Sequence, residues 1–301
     1  MRTLPALLLI AMTAGQARAQ GSVASDLWRV AQSTLLVPAP LSDDGAAAFW
    51  TPVVFLDSAS RLRLGLEAVH SPDEVGVTGG MAALTWRAFR HSSISVTYGR
   101  LGVAGVGYTE TSPELLSSSL AIYNETASIG LAGPLASGLS GGVALRYLSG
   151  RLAFASHSQA GLDFGAQYTR IPHLRLGVST RFFDPTFSRS GRDAATYSAG
   201  AEVRTSRFDA WGAPTTLALR YGLTRGTDND TQQLISGGLS LGSALTLDAG
   251  ASREETASDA VWRSLLGIGI AAGRYVVRIG RDGGVNAFGA TYRFGLTALF
   301  K

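Results

Sequence analysis

Charged side chains that could bind an anionic group occur singly within apolar runs, at alternating positions. Arg146, for example, stands between Leu145 and Tyr147. Guanidinium groups bind carboxylates and phosphates through charge-assisted hydrogen bonds, so such arginines could form a site for an anionic head group. They could equally form ion pairs that fill and stiffen an interior. The residues with this pattern are Arg63, Glu67, Arg146, Asp163, Arg175, Arg181, Arg220, Arg278 and Arg293.

Residues suited to catalysis or to metal and cofactor binding are sparse. The chain has four histidines and no cysteine, and no histidine has a partner at metal-ligand spacing. His91-Ser92 and His157-Ser158 are adjacent pairs, but spatial geometry defines a catalytic triad, not adjacency. We therefore expect no enzymatic activity, no metal and no cofactor, and keep a hydrolase as the weakest alternative.

The composition argues against an ordinary soluble domain and against a nucleic-acid binder. Charged residues make up 16% of the 301 residues, against roughly 25% in soluble domains. The formal net charge is +4, and Lys301 is the one lysine in the sequence. No run of basic residues forms a nucleic-acid footprint, so we expect no nucleic-acid partner.

The first 19 residues have the pattern of a cleaved signal peptide. Arg2 supplies the positive start, residues 4–14 are apolar, and Ala17-Arg18-Ala19 fits the small-x-small cleavage rule. No later apolar run approaches the ~18 residues of a membrane-spanning helix. The sequence therefore predicts an exported chain that begins at Gln20 and is not held by transmembrane helices.

The elements that must position the charges are strands, because apolar and polar residues alternate with a period of two. In 172–182, one predicted face contains Leu174, Leu176, Val178, Thr180 and Phe182, and the opposite face contains Arg175 and Arg181. In the last segment, the predicted apolar face is Phe288, Ala290, Tyr292, Phe294, Leu296, Ala298 and Phe300. Charges that faced lipid would cost about 2–4 kcal/mol each at the midplane, so the arginine face is predicted to point inward.

A closed barrel explains this alternation better than a soluble β-sandwich, which is the alternative. The predicted strands are longer than the mode of about 5–6 residues in globular sheets, and strands in lipid must close to pair every backbone group. Fifteen segments are recognisable, of which 92–102 and 103–110 could be one strand plus a loop. They predict an all-β transmembrane antiparallel barrel of about 14 strands, within 12–16, over residues 59–301. A short helix is predicted at 112–117. Residues 20–58 are predicted to form a plug or to lie at the periplasmic rim.

Several stretches resemble the FadL-like outer-membrane proteins, and within them the PorV/PorQ-like group. The first is 44–53, where a run of small residues leads to Phe49, Trp50, Thr51 and Pro52; Thr51 and Val53 stand in place of the family's Asn and Ala. The others are 93–103, 141–147, 161–166 and 174–178. The resemblance implies a 14-stranded barrel with an N-terminal plug. It also implies either passage of hydrophobic molecules, such as long-chain fatty acids, or an accessory role in protein secretion.

The C-terminus resembles the signal that the barrel-assembly machinery reads. Tyr292, Phe294 and Phe300 alternate toward the end, and Lys301 follows the last aromatic residue. The expected partners are therefore outer-membrane lipid and this machinery, in the bacterial outer membrane. A hydrophobic small molecule or a secretion apparatus is the further expected partner.

Three functions remain open from the sequence. A transporter of hydrophobic or amphipathic molecules predicts an apolar pocket near 46–55 and a lateral gap in the wall. A secretion-accessory barrel that does not transport predicts a blocked lumen and long loops at 184–193, 225–231 and 253–260. An outer-membrane hydrolase predicts a Ser/His/acid cluster within hydrogen-bond reach.

Overall fold

A computed structural model describes residues 23–54, 60–72, 76–89, 91–103, 107–108, 116–119, 122–152, 155–183, 195–226, 231–255, 260–284 and 289–301. The predicted leader, the predicted loop 184–193 and Phe288 lie outside these residues.

Most of the described chain is β-strand. The strands are Leu62–His70 (β1), Val77–Phe89 (β2), Ser92–Val103 (β3), Gly107–Tyr108 (β4), Leu116–Ser119 (β5), Ile122–Ala136 (β6), Leu139–Leu152 (β7), Ala155–Tyr168 (β8), Leu174–Phe183 (β9), Thr196–Arg204 (β10), Phe208–Ala210 (β11), Ala213–Gly226 (β12), Thr231–Leu241 (β13), Leu245–Glu255 (β14), Ala260–Ala272 (β15), Tyr275–Asp282 (β16) and Thr291–Phe300 (β17). All pairings are antiparallel, and each barrel strand pairs with its neighbours in a closed ring of 14 strands. The ring closes where β1 pairs with β17, with Leu62 opposite Phe300. The predicted 14-stranded transmembrane barrel is confirmed.

The strand count is 14 because the extra predicted segment does not join the wall. β3 ends at Val103, and β4 pairs with β5 in a separate two-stranded sheet. Of the two alternatives for 92–110, a single barrel strand followed by a connection is therefore the one that the structure supports. Of the helix predicted at 112–117, residues 116–117 belong to β5, and 112–115 lie outside the described residues.

The outer face of the wall is apolar and the inner face is polar, as the alternation predicts. Ile129, Leu145 and Ile270 are more than half exposed on the outside. Polar side chains such as Thr126 and Ser236 are buried inside. Because lipid cannot hydrogen-bond to a wall side chain, the apolar face suits the membrane and the polar face suits the lumen.

The lengths of the connections orient the barrel. At one end, two residues connect β6 to β7 and two connect β15 to β16, at 137–138 and 273–274. At the other end, residues 104–121 lie between barrel strands β3 and β6. Short turns face the periplasm in bacterial barrels, so β1 begins and β17 ends at the periplasmic side.

The described part of the N-terminal segment, residues 23–54, lies inside the barrel, and we call it the plug. It comprises an α-helix at Val23–Ser33 (α1), a 3-10 helix at Ala39–Leu41 and a helical turn at Ala47–Trp50 (α2). α1 packs against β3, β6 and β7, and the 3-10 helix packs against β8, β9 and β10. Among the described residues, no helix is long and apolar enough to cross a membrane.

The inner wall carries glycine where the plug backbone comes closest. A methyl group on Gly142 would lie 2.7 Å from the carbonyl oxygen of Pro52, and one on Gly165 would lie 2.8 Å from Cγ2 of Val53. Glycines on other strands leave room for the plug in the same way: Gly65, Gly99, Gly177, Gly200, Gly222 and Gly267. The wall is thus shaped to hold the plug in one position.

We expect Gly142→Ala to disturb the seating of the plug. The new methyl group would meet backbone atoms of Pro52, and overpacking of this kind costs roughly 1–3 kcal/mol. Urea unfolding of the reconstituted protein and protease access to the plug would measure the effect. Gly295→Ala is the matched control, because its methyl group would have no neighbour closer than 3.8 Å. Equal stability of the two variants would contradict the proposed fit.

Candidate functional site

Three arginines surround the aromatic pair at the end of α2. The rings of Phe49 and Trp50 lie 5.1 Å apart, and both side chains are fully buried. The guanidinium carbons of Arg181 and Arg293 each lie 4.9 Å from the centre of the Trp50 ring. Arg146 lies 5.0 Å from the centre of the Phe49 ring and donates a hydrogen bond of 3.0 Å to the Phe49 carbonyl oxygen. Cation–π contacts and a hydrogen bond therefore hold the pair against the wall.

A β-bulge brings two neighbouring residues of β9 to the inner face. The pairing between β8 and β9 shifts between Leu162 and Phe164, and Phe182 has a φ of 58°. Arg181 and Phe182 are both buried. The prediction that Phe182 belongs to the outer face is wrong, because the extra residue of a bulge resets the alternation.

Asp163 stabilises this bulge and neutralises one arginine. Its carboxylate accepts a hydrogen bond of 2.9 Å from the backbone N–H of Phe182 and one of 2.6 Å from Nε of Arg146. Both charged side chains of this ion pair are almost fully buried. On the opposite side, Nε of Arg293 donates to Glu67 at 3.0 Å, and Glu67 also accepts from the Trp50 indole at 3.2 Å.

Arg181 differs from its two neighbours because its partner is neutral. Its Nη2 donates to Oε1 of Gln32 in α1, and its Nη1 has no hydrogen-bond partner among the described residues. The side chain is 2% exposed. The Arg146 and Arg293 charges are balanced by carboxylates, so the positive charge at Arg181 is in excess beside Trp50.

An acidic loop of the plug bridges opposite sides of the wall. Asp43 accepts a hydrogen bond of 3.0 Å from Arg175 on β9, and its backbone carbonyl accepts one of 2.7 Å from Arg63 on β1. Asp44 forms an ion pair of 2.6 Å with Arg278 on β16. These contacts join the plug to three strands near the periplasmic end.

The pKa values of the two carboxyl groups of this loop are shifted in opposite directions. The pKa of Asp44 is raised to about 6, chiefly by burial and also by the adjacent charge of Asp43, against the opposing effect of Arg278. Burial also acts to raise the pKa of Asp43, but the guanidinium groups of Arg175, Arg278 and Arg204 outweigh it and hold that pKa below its ordinary value.

All nine charged residues singled out in the sequence lie on the inner face. Seven of them form hydrogen bonds or ion pairs with the backbone or the side chains of the plug: Arg63, Glu67, Arg146, Arg175, Arg181, Arg278 and Arg293. Asp163 and Arg220 instead pair with wall residues. Of the plug motif, Thr51 and Pro52 are buried beside Phe49 and Trp50. At the C-terminus, Tyr292 and Phe294 are exposed on the outer face.

Sequence reasoning missed several acidic members of the site. Glu202 pairs with Arg220 at 2.7 Å, and Asp248 pairs with the same arginine at 2.7 Å. Asp248 is also 3.6 Å from Arg278, which connects this group to the acidic loop of the plug. Both acids stand singly between apolar neighbours, so the test that found the arginines could have found them.

Among the described residues, the cavities found beside the plug are small. A cavity between residues 34–37, the acidic loop and strands β14–β17 has a volume of about 70 Å³. Two others beside α1 each measure about 20 Å³. A water molecule occupies about 30 Å³ in the liquid, so these cavities hold at most a few waters. Among the described residues, no three His, Asp or Glu side chains are placed to share a metal ion.

Comparison with solved structures identifies the fold. The toluene transporter TbuX of Ralstonia pickettii has a TM-score of 0.53 at 10% sequence identity, over 88% of this chain and 97% of that chain. The toluene transporter TodX of Pseudomonas putida has a TM-score of 0.52 at 11% identity, over 85% and 94%. A Pseudomonas aeruginosa FadL homologue has a TM-score of 0.50 at 11% identity, over 88% and 96%. The chain has a FadL-like outer-membrane barrel fold.

The FadL-like fold confirms the predicted resemblance at the level of architecture and indicates the bacterial outer membrane. These similar structures are named as transporters or as a FadL homologue. The finer resemblance to the PorV/PorQ-like group is not shown by these structures. No protein-family model and no curated protein sequence matches the chain.

We expect the seating of the plug in this FadL-like barrel to strengthen as the pH falls from about 7.5 to about 5. The pKa of Asp44 is raised in the seated state, so its contribution to stability is present at low pH and is lost as the pH rises through about 6. The pKa of Asp43 is lowered, so its opposite contribution changes only below this window. The rate of proteolysis of the plug against pH would measure the effect. Asp44→Asn should give a flat profile, and an unchanged profile in that variant would contradict the assignment.

Proposed function

We propose that this FadL-like barrel passes or binds hydrophobic or amphipathic molecules at the outer membrane, with residues 20–58 acting as a plug that must move. The proposal rests on the fold that the chain shares with two structures named as toluene transporters, and the small cavities beside the plug, about 70 Å³ and about 20 Å³, argue against a porin. A porin-type barrel keeps a water-filled channel for hydrophilic solutes. The fold that this chain shares with two named toluene transporters supports a hydrophobic cargo.

The excess charge at Arg181 supports an amphipathic cargo in particular. The guanidinium is buried against Trp50 and has no carboxylate partner among the described residues. When the plug moves, this charge would be free to bind an anionic head group. Arg146 and Arg293, which flank the same aromatic pair, keep their own carboxylates on the wall.

A lock on the plug tests the proposal. The sequence contains no cysteine, so an introduced pair has no competing thiol. Val53→Cys with Gly165→Cys places two Cβ atoms within disulfide reach, because a methyl group on Gly165 would lie 2.8 Å from Cγ2 of Val53. Uptake of labelled toluene and of a labelled long-chain fatty acid would be measured in a deletion strain that carries this variant.

Oxidation is expected to abolish uptake and reduction to restore it, with the wild type unaffected by either treatment. Each single-cysteine variant is the matched control. Uptake that continues with the plug locked would contradict a moving plug. Uptake that is unchanged in the deletion strain itself would contradict transport of these two molecules.

A secretion-accessory barrel of the PorV/PorQ type is the second candidate, and the tight plug favours it. The transport hypothesis predicts an apolar pocket near 46–55, yet Phe49, Trp50 and Val53 are buried in contact with the wall. Over the described residues every barrel strand pairs with both of its neighbours, whereas the transport hypothesis predicts a lateral gap in the wall. Co-purification with a secretion apparatus, together with unchanged protein secretion in cells that carry the locked variant, would support this candidate.

A further inference from the structure

The outer surface of the barrel has a groove that plays no part in the proposed passage through the lumen. It crosses strands β12–β17, is largely open to the membrane, and has a volume of about 850 Å³. Its walls are outward-facing aliphatic side chains, including Leu217, Leu247, Leu266, Ile268 and Ile279.

Glycines form the floor of the groove and keep it separate from the lumen. Gly238, Gly267 and Gly280 line it from below, and Leu36 of the plug lies against the inner side of Gly267. The backbone pairing between β15 and β16 is continuous at this level, with Ile268 opposite Ile279. A molecule that enters the groove from the membrane therefore stays on the outside.

One end of the groove carries an exposed positive charge. Arg281 lines the groove from the outer face and lies opposite Leu266 on β15 and Tyr292 on β17. Among the described residues, its guanidinium has no ion-pair or hydrogen-bond partner. The other residues named in the groove are apolar apart from Tyr292 and Asp248, and Asp248 belongs to the inner face, where it pairs with Arg220.

The position of Arg281 along β16 indicates which leaflet of the membrane its side chain faces. It is next to the last residue of β16, at the end with the longer connections, which is the extracellular side. Tyr292, which is opposite Arg281 on β17, is exposed on the outer face at this end, and exposed aromatic residues at a barrel end are typical of the girdle at the head-group level. Arginine at this level faces the phosphates of the outer leaflet, to which it can bind bidentately.

We propose that this groove binds a phosphorylated, multiply acylated glycolipid of the outer leaflet. A phosphate would lie on Arg281, and an acyl chain would lie between Leu266, Ile268 and Ile279. The shape supports this occupant because the charge is at the head-group end and the aliphatic walls continue from it toward the membrane centre. A phospholipid of the periplasmic leaflet would present its phosphate at the opposite end.

The chain offers matched controls at that opposite end. Arg274 is also exposed, and its guanidinium carbon lies 4.9 Å from the Tyr275 ring and 5.3 Å from the Phe300 ring. Ala249 lines the groove, whereas Ala272 lies on the outer face of β15 away from it. Arg281→Gln and Ala249→Phe therefore test the groove, with Arg274→Gln and Ala272→Phe as controls.

The test uses the full-length protein in nanodiscs that contain phosphatidylglycerol and purified lipid A, with retained lipid counted by native mass spectrometry. We expect the wild type to retain lipid A in preference to phosphatidylglycerol. Arg281→Gln should lower lipid A retention about 10-fold, as the loss of one charge-assisted contact implies. Ala249→Phe should lower it because the new ring fills the groove. Heat-modifiable migration on gels would confirm that each variant is folded.

Equal retention by the wild type and Arg281→Gln would overturn the proposal. So would an equal loss in the Arg274→Gln control, or retention of phosphatidylglycerol in preference to lipid A. None of these measurements depends on uptake. A failure of the lipid-binding proposal can therefore be distinguished from a failure of the transport proposal.

Discussion

Deletion of residues 23–54 is expected to convert the closed barrel into an open pore. The plug fills the lumen, and the wall keeps its own ion pairs without it, such as Arg146–Asp163 and Arg220–Glu202. We expect the influx of hydrophilic solutes to rise by at least about 10-fold, because an unplugged wall of this size encloses an aqueous channel. Planar-bilayer conductance and the sensitivity of cells to large antibiotics would measure the change.

A variant that retains the segment provides the control for folding. Phe49→Ala with Trp50→Ala removes the aromatic pair but leaves the acidic loop and its contacts with Arg175 and Arg278 in place. An intermediate or intermittent conductance is expected. If the deletion variant is folded in the membrane and remains non-conducting, the plug is not what closes the lumen.

Asp163→Ala is expected to destabilise the barrel by roughly 3–5 kcal/mol, as is typical when one partner of a buried ion pair is removed. Asp163 holds Arg146 and also accepts the backbone N–H of Phe182 at the bulge, so the change leaves two buried donors unsatisfied. The unfolding midpoint and slope in urea, followed by tryptophan fluorescence in lipid vesicles, would give this free energy.

Two comparisons make the Asp163 result specific. Asp163→Asn keeps an acceptor for the Phe182 N–H and loses the charge, so an intermediate loss of stability is expected. Glu255→Ala breaks the exposed ion pair with Arg253 and should cost at most about 1 kcal/mol. A loss for Asp163→Ala no larger than that for Glu255→Ala would show that the buried pair is not structurally important.

The sequence predicted the wall well because one physical rule governs each strand. A charge that faces lipid is costly, so single arginines such as Arg146 and Arg220 mark the inner face and fix the alternation around them. The rule fails at Phe182, where the bulge depends on Asp163 of the neighbouring strand rather than on any local pattern. A period of two cannot report an irregularity that another strand imposes.

The sequence predicted a separate N-terminal segment but not the course that the plug follows through the lumen. Residues 23–54 have no sustained period, and their position depends on where the wall offers glycine, as at Gly142 and Gly165, and on guanidinium groups from several strands. The sequence predicted no role for Asp43 and Asp44, because their role as a bridge depends on Arg175 and Arg278. Such contacts join residues that are far apart in the sequence, so no local sequence pattern predicts them.

The closure of the ring between β1 and β17 has a consequence for the order of assembly. The seam pairs residues more than 200 positions apart, and the plug crosses it where Gly45 donates to Thr297 and Glu67 meets Arg293. The plug is synthesised before the wall, so it can be enclosed as the last hairpin docks; after closure it could enter only through an open end of the barrel. Until the seam forms, β1 and β17 are both unpaired edge strands, so the slowest stage of assembly is expected to be the one that precedes this long-range pairing.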